Sequence, residues 1–384
     1  MSNADIDVLL VDEFPVTNSF TYLNHAAVAP WPKRTGLAVQ EFAQQNVNEG
    51  SRHFMEWLEL ENGLRQRLKD FLNADSSEDV GFLKNTSEGL SVVAHGFPWR
   101  SGDNVVISDE EFPSNRIVWE SLKRFGVEVR QVSLKNGESP EDALLSAFDE
   151  KTRILAISAV QYASGLRMDL ETLGAECKNR DVAFCVDAIQ ALGAIRLDVQ
   201  AMHIDFLAAD AHKWLLGPEG IAVFYCSEKW RDRLTLHQYG WHMIADHFDF
   251  ETKTWSPATS ARRFECGSNN TLGIQALSAS LSLLEEIGIG DVEDRILVNA
   301  KTLVEEVNRH ESLELITDPS PGRLAGIVTF TGKNALPDVI HQALSEKNVV
   351  CAMRGGGVRF SPHCYTSSTG LITAIEIAAS VTGQ

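Results

Sequence analysis

The sequence predicts an α/β fold: a mostly parallel central sheet flanked by helices, with a smaller α+β module in the C-terminal third. Three observations carry that expectation. Between residues 79 and 225 short apolar runs alternate with amphipathic stretches, the pattern of right-handed βαβ units. The runs are apolar almost throughout, as strands buried on both faces must be. A chain of 384 residues, 44% hydrophobic and 23% charged, has room for a large domain and an appendage.

In chain order, the expected strands of the large sheet are residues 80–83, 105–108, 127–132, 154–159, 183–187, 206–209 and 221–225. Helical patterns at 115–125, 141–148 and 170–179 lie between them. Residues 227–262 lose this periodicity and gather aromatics and histidines, which predicts a long loop beside a functional surface. A helix over 272–286 is broken at Gly288 and Gly290, and a second runs to about His310. Strands at 326–331, 349–353 and 358–361 and a last helix from Ser368 complete the smaller module. The expected division is an N-terminal segment, 1–20, packing with the small module, a large domain over 21–262 and a small α+β domain over 263–384.

The formal net charge of −19 repels phosphate backbones and anionic lipid, so neither nucleic acid nor a membrane is an expected partner. The N-terminal residues are acidic, and Val8-Leu9-Leu10-Val11 is too short for the core of a secretory leader. Six cysteines show no C-x-x-C spacing and read as free thiols in a reducing compartment. The expected location is cytoplasmic.

The chemistry is carried by an aspartate and a lysine. An apolar strand delivers Asp187, and a second delivers His212-Lys213 before a Gly-Pro turn. Both then sit at the carboxyl ends of strands, where open α/β sheets place their ligands. An amine that can form a Schiff base and a carboxylate that keeps a ring nitrogen protonated are what pyridoxal 5′-phosphate (PLP) requires. Thr86 and Ser87 follow a strand and open a helix, whose free N–H groups can seat a phosphate. Arg359, between apolar neighbours in a strand, can grip a carboxylate in two-pronged fashion. A dinucleotide enzyme would need G-x-G-x-x-G, and none is present. A metal site built from His237, His242, Asp246 and His247 is disfavoured, because the five-residue spacing puts them on no common helical face.

Together these residues resemble the class V aminotransferase family, the branch of PLP fold-type I enzymes that includes cysteine desulfurases and isopenicillin N epimerase-like proteins. The resemblance begins at Tyr22-Leu23-Asn24-His25-Ala26-Ala27 and runs through Asn85–Gly89 of the phosphate turn, Glu111-Phe112-Pro113-Ser114-Asn115 and Val186-Asp187-Ala188-Ile189-Gln190. It continues through Ala211-His212-Lys213 and Phe264-Glu265-Cys266-Gly267-Ser268 to the Arg359 strand. It implies that Lys213 forms the aldimine and shuttles protons at Cα, and that Asp187 pairs with the pyridinium nitrogen. Gln190 is implied to bond the ring hydroxyl and Phe112 to stack on the ring. Thr86, Ser87 and His212 are implied to hold the phosphate, with Ser268 supplied by a second subunit, hence a homodimer with shared active sites. Arg359 would bind the carboxylate of a small amino-acid substrate, and His25 is a further substrate-binding candidate. Arg52, His53, Trp57, Tyr162 and residues 237–250 are candidates for the side-chain pocket.

Two departures bear on the reaction. The desulfurase segment R-x-G-x-x-C, which carries the persulfide-forming cysteine on a mobile loop, is not matched: Arg354-Gly355-Gly356-Gly357 runs straight into the Arg359 strand. Desulfurase activity is therefore disfavoured, and transamination is expected ahead of epimerisation or C–S/C–C lysis. A catalytically silent PLP-fold binding protein is a third alternative, against which the intact Lys–Asp–Arg set argues. Asp210, where desulfurases use serine beside the phosphate, is expected to turn towards a backbone donor or a cation.

Overall fold

The structure is a computed structural model that describes residues 2–251 and 253–382. The chain opens with α1 (Asn3–Glu13), whose Ser2 cap and Asp5 bond each other's backbone reciprocally. A short β1 (Thr21–Tyr22) and the long helices α2 (Lys33–Glu49) and α3 (Phe54–Leu72) follow. The sheet region then alternates as the apolar runs require: β2 (Val80–Leu83), α4 (Thr86–Gly96), β3 (Asn104–Ser108), α5 (Pro113–Glu120), β4 (Glu128–Val132), α6 (Pro140–Ser146), β5 (Thr152–Ser158), α7 (Leu170–Asn179) and β6 (Ala183–Asp187). Next come β7 (Phe206–Asp210), β8 (Ala222–Cys226) and the short α8 (Glu228–Arg231).

These seven strands form one sheet in the order β2-β8-β7-β6-β5-β3-β4. Only β8 runs against its neighbours. Alternate side chains of the buried strands feed two cores. Val106, Leu155, Ile157, Phe184, Val186 and Leu207 join one, while Val105, Ile107, Ile154, Cys185, Phe206 and Phe224 join the other.

The remaining chain forms α9 (Thr271–Ile287), α10 (Ile289–Arg309), β9 (Leu313–Leu315), β10 (Val328–Gly332), α11 (Pro337–Glu346), β11 (Val349–Val350), β12 (Ala352–Arg354), β13 (Gly357–Phe360) and α12 (Ser368–Ser380). Strands β12-β13-β10-β9 make an antiparallel sheet with its own apolar cluster against α10, α11 and α12. The run expected as one strand over 349–353 divides, because β11 pairs with β1 while β12 pairs with β13. Helix α9 shares the core of the large sheet and lies against α2 and α3. Residues Ile6, Leu10 and Phe14 of the N-terminal segment also enter that core, while Asp7 pairs with Arg295 of α10. No single helix among the described residues is long and apolar enough to cross a membrane.

Helix α3 is locked to the sheet by a buried charge network. Arg65 donates to Glu265 at 2.6 and 2.8 Å, to Glu61 at 2.5 Å and to the Val80 carbonyl at 2.9 Å. Glu265 also accepts from the Phe82 amide and from Asn269. His242 lies 3.5 Å from Glu265, and its ring meets that of His247 edge-on, with centres 5.2 Å apart. Burial alone would raise the Glu265 carboxyl; the charge and hydrogen bonds of Arg65 outweigh it and hold the group below its ordinary value of 4.5. Its stabilisation is therefore present above that value and is lost as pH falls through the depressed folded pKa. Glu265→Ala leaves a buried guanidinium short of its main partner and should cost about 3–5 kcal/mol, measured as a fall in urea midpoint at unchanged slope.

Candidate active site

Parallel pairing brings the C-terminal ends of β3, β5, β6 and β7 to one edge of the sheet, and β2, antiparallel to β8 as β7 is, ends there too. Asp187 ends β6 and Asp210 ends β7, and the chain then turns through His212 and Lys213. That turn is anchored by Trp214, which is fully buried and donates its indole N–H to Gln190 at 2.9 Å. Gly193, at φ +94°, lets the Trp214 carbonyl come within 2.3 Å of where a Cβ would stand. A side chain at residue 193 would therefore push the lysine turn out of place.

Lys213 is 8% exposed, yet its amine makes no hydrogen bond or ion pair among the described residues. It lies 5.7 Å from the centre of the Phe112 ring. Burial lowers its pKa below the ordinary lysine value; Asp187 opposes this, and the charges of Arg359 and Arg354 add to it. Asp187 is also buried and accepts the Ile189 amide at 3.1 Å. Burial raises its pKa, the Ile189 bond works against that, and the nearby Glu111 charge reinforces it.

Phe112 is held from both sides. Preceding it, the Glu111 carboxylate is caged by Ser108, Asn115, Gln161 and the Ser158 amide and hydroxyl. The Phe112 ring meets Tyr162 edge-on, with centres 5.1 Å apart. The Tyr162 carbonyl accepts Arg359 Nη1 at 2.7 Å. Arg359 is 2% exposed, its Nε has no partner among the described residues, and burial beside Arg354 pushes its pKa down to about 10. Glu111 stands in the segment that carries the resemblance, but only the fold shows that it fixes Phe112 and adds its charge beside Asp187.

At the start of α4, Asp210 accepts the Thr86 amide at 3.2 Å, and the Thr86 hydroxyl accepts the Asp210 amide at 2.9 Å. His212 Nδ1 stands 3.3 Å from Asp210, outside hydrogen-bonding orientation. Asp210 thus meets a backbone donor with an imidazole beside it. The Ser87 hydroxyl donates to Ser114, and the Ser87 amide is a first-turn group with no carbonyl one turn back inside α4.

Other candidates sit apart or are already engaged. His25 is fully buried, with Nδ1 on the Ser361 carbonyl and Nε2 on the Tyr365 hydroxyl. The Gln190 amide spans Trp214 and the Ala26 carbonyl. Ser268 lines a recess of about 230 Å³ with Lys84, Gly220 and Asn270. His53 lies between Glu49 and Glu56, and Trp57 bonds Gln45. A cavity of about 670 Å³ lies between α1, α10 and α12, and neither Lys213 nor Asp187 lines it.

A buried amine without a partner, a carboxylate at the neighbouring strand end, an aromatic face beside the amine and a helix N-terminus fit PLP. The family model described as aminotransferase class-V matches residues 21–369. The chain belongs to the class V aminotransferase family. It is a PLP-dependent enzyme of fold type I. A probable cysteine desulfurase of Methanothermobacter thermautotrophicus is 29% identical over 394 residues, covering 97% of each chain. A cysteine desulfurase of Escherichia coli is 31% identical over 345 residues, 85% of this chain and 83% of that one. Among solved structures, the apo cysteine desulfurase of Thermococcus onnurineus superposes with a TM-score of 0.87 at 24% identity, covering 100% of this chain and 99% of the other. A cystine C–S lyase complexed with cysteine persulfide superposes with a TM-score of 0.86 at 23% identity, covering 95% and 99%. Those two structural likenesses establish the fold of this class V enzyme.

Capture of PLP by this class V enzyme needs a neutral amine. Because burial lowers Lys213, capture by cofactor-free protein should rise with pH and level off below the ordinary lysine value of 10.5. Borohydride reduction and peptide mapping should find the cofactor on Lys213, and Lys213→Ala should retain none after dialysis. Cofactor fixed to Lys84 or Lys229 instead would overturn the assignment.

Proposed function

We propose that this enzyme cleaves the C–S bond of a small sulfur-containing amino acid by direct elimination, with no cysteine of its own in the sulfur transfer. The observation that carries this reading is the β12–β13 hairpin. Arg354 pairs with Gly357 across a two-residue turn, and Gly355 and Gly356 both take positive φ, +60° and +81°. That is the tight turn of a β-hairpin, with no loop on which a cysteine could ride. Cys351 and Cys364 are 7% and 4% exposed, and burial pushes each thiol up to about 12, so neither is a thiolate at neutral pH. Names of the relatives favour C–S chemistry over the transamination that the sequence reading places first, since those relatives are cysteine desulfurases.

When bound, PLP supplies a carbonyl that takes up the substrate amino group and a ring that withdraws electrons from Cα. Lys213, in its neutral form, would accept the substrate's Cα proton. Asp187, in its ionised form, holds the ring nitrogen protonated. Arg359 would grip the α-carboxylate and so fix which Cα bond is set for cleavage. Phe112 covers one face and limits water. Thr86, Ser87 and His212 would hold the PLP phosphate. Ser268 comes from a second subunit in a homodimer with shared sites. With cysteine itself, cysteine and water give pyruvate, ammonia and hydrogen sulfide.

Holoenzyme with L-cysteine or an S-alkylcysteine should release pyruvate and sulfide or thiol in equal amounts over many turnovers. Cys351→Ser and Cys364→Ser should keep that rate within about twofold, because neither thiol touches the reacting atoms. Arg359→Lys should lower kcat/KM by about 30-fold to several thousand-fold, since lysine lacks the planar fork. A single keto acid per cofactor, with the cofactor left in its amine form, would identify a transaminase. Loss of sulfide release in Cys364→Ser would identify a cysteine relay.

A further inference from the structure

Arg359 has a neighbour of the same charge on the same face of its hairpin. In the β12–β13 register Ala352 lies opposite Arg359 and Arg354 lies opposite Gly357. Residues 352 and 354 share a face, so Arg354 and Arg359 are diagonal partners on one side of the sheet, about 7–8 Å apart at the backbone. This face looks towards the catalytic edge. The Arg359 guanidinium bonds the Tyr162 carbonyl, and a Cβ on Gly355 would stand 3.2 Å from the Ala163 side chain. Val358 and Phe360, on the opposite face, fill the small-module core.

Neither arginine has a carboxylate within 4 Å among the described residues. Arg354 donates only to the Met353 carbonyl, at 2.7 Å. Like charges this close on one hairpin face repel, and an anion between or beside them relieves that repulsion. This is a chain with 53 acidic residues against 34 Lys and Arg, so acidic partners are abundant elsewhere. The two arginines also differ in depth: Arg359 is buried beside Tyr162, whereas Arg354 is exposed at the mouth. Both charges reach Lys213.

We propose that Arg354 binds a second anionic group at the far end of the substrate side chain, while Arg359 holds the α-carboxylate. The preferred substrates are then amino acids with an acidic end beyond the scissile bond, such as cysteine S-conjugates that bear a carboxylate. This substrate class rests on the C–S lyase reading, although the recognition itself does not depend on which bond breaks.

The test uses two probes of one shape and different charge, S-carboxymethyl-L-cysteine and S-carbamoylmethyl-L-cysteine. Their dissociation constants are read from the visible spectrum of the holoenzyme and their kcat/KM values from pyruvate. The carboxylate should be preferred by about 10- to 100-fold, the worth of one charged hydrogen bond at a half-wet site. Arg354→Gln should bring the ratio close to one, and Arg354→Lys should restore part of it because charge without the fork remains. A wild-type ratio near one, or a ratio that Arg354→Gln leaves unchanged, would overturn the assignment. Turnover of cysteine with neither probe binding would also overturn it and leave the lyase reading intact. If no sulfur amino acid is cleaved, the lyase reading fails alone. Binding of aspartate against asparagine in wild type and Arg354→Gln then decides the arginine's role by the same ratio.

Discussion

An amine buried without a partner is the constraint around which this molecule is arranged. A lysine that is 8% exposed and has neither hydrogen bond nor ion pair is expensive to keep charged, so burial favours its neutral, nucleophilic form. Keeping it in place requires the rigid turn after β7, the buried Trp214 beneath it and the bare backbone at Gly193. The same desolvation acts on Asp187 in the opposite sense. The two groups temper each other across the edge of the sheet, and the cofactor's charged ring stands to complete both environments.

The large sheet was legible because its signals are local. Residues 183–187 form an apolar run ended by a charged residue, and residues 170–179 follow Asp169, whose carboxylate caps the Thr172 amide; both elements have the expected bounds. Periodicity did not reveal α1, α2 or α3. In α2 the only buried residue is Thr35, while Leu37 and Val47 lie exposed, so no apolar stripe exists to be read. The division of 349–353 into two strands depends on partners far away in sequence. Among the site residues, Lys213, Asp187 and Arg359 could be found from strand ends and residue type. His25 could not be placed that way, because its bond to Tyr365 closes 340 residues of chain. The role of Glu111 in fixing Phe112 was hidden for the same reason: its donors on β5 and beyond are 47 and 50 residues away.

At the phosphate end, Asp210 and Thr86 hold each other through two reciprocal bonds and tie the end of β7 to the start of α4. A serine there would give the anion another donor, whereas the carboxylate occupies one. The start of α4 is thus stiff, with the Asp210 carboxylate taking up one backbone donor. At the opposite side, a hairpin closed by two glycines places both arginines on a strand pair, so the pitch of the sheet and not a moving loop sets where they stand.

Strand β1 has a consequence for the order in which the chain can fold. It pairs in parallel with β11, and Asn24 bridges to Ser361. The imidazole of His25 bonds the Ser361 carbonyl across 336 residues. None of these contacts can form until nearly the whole polypeptide has left the ribosome. The large sheet can assemble during synthesis, but the N-terminal strand must stay unpaired through that time, with its partners supplied last. Closing so long a loop costs entropy that local contacts do not return, so completion of the small module is expected to be the slow step of folding. Until then Leu23, which ends up fully buried in the small core, stays open to solvent and to chaperones.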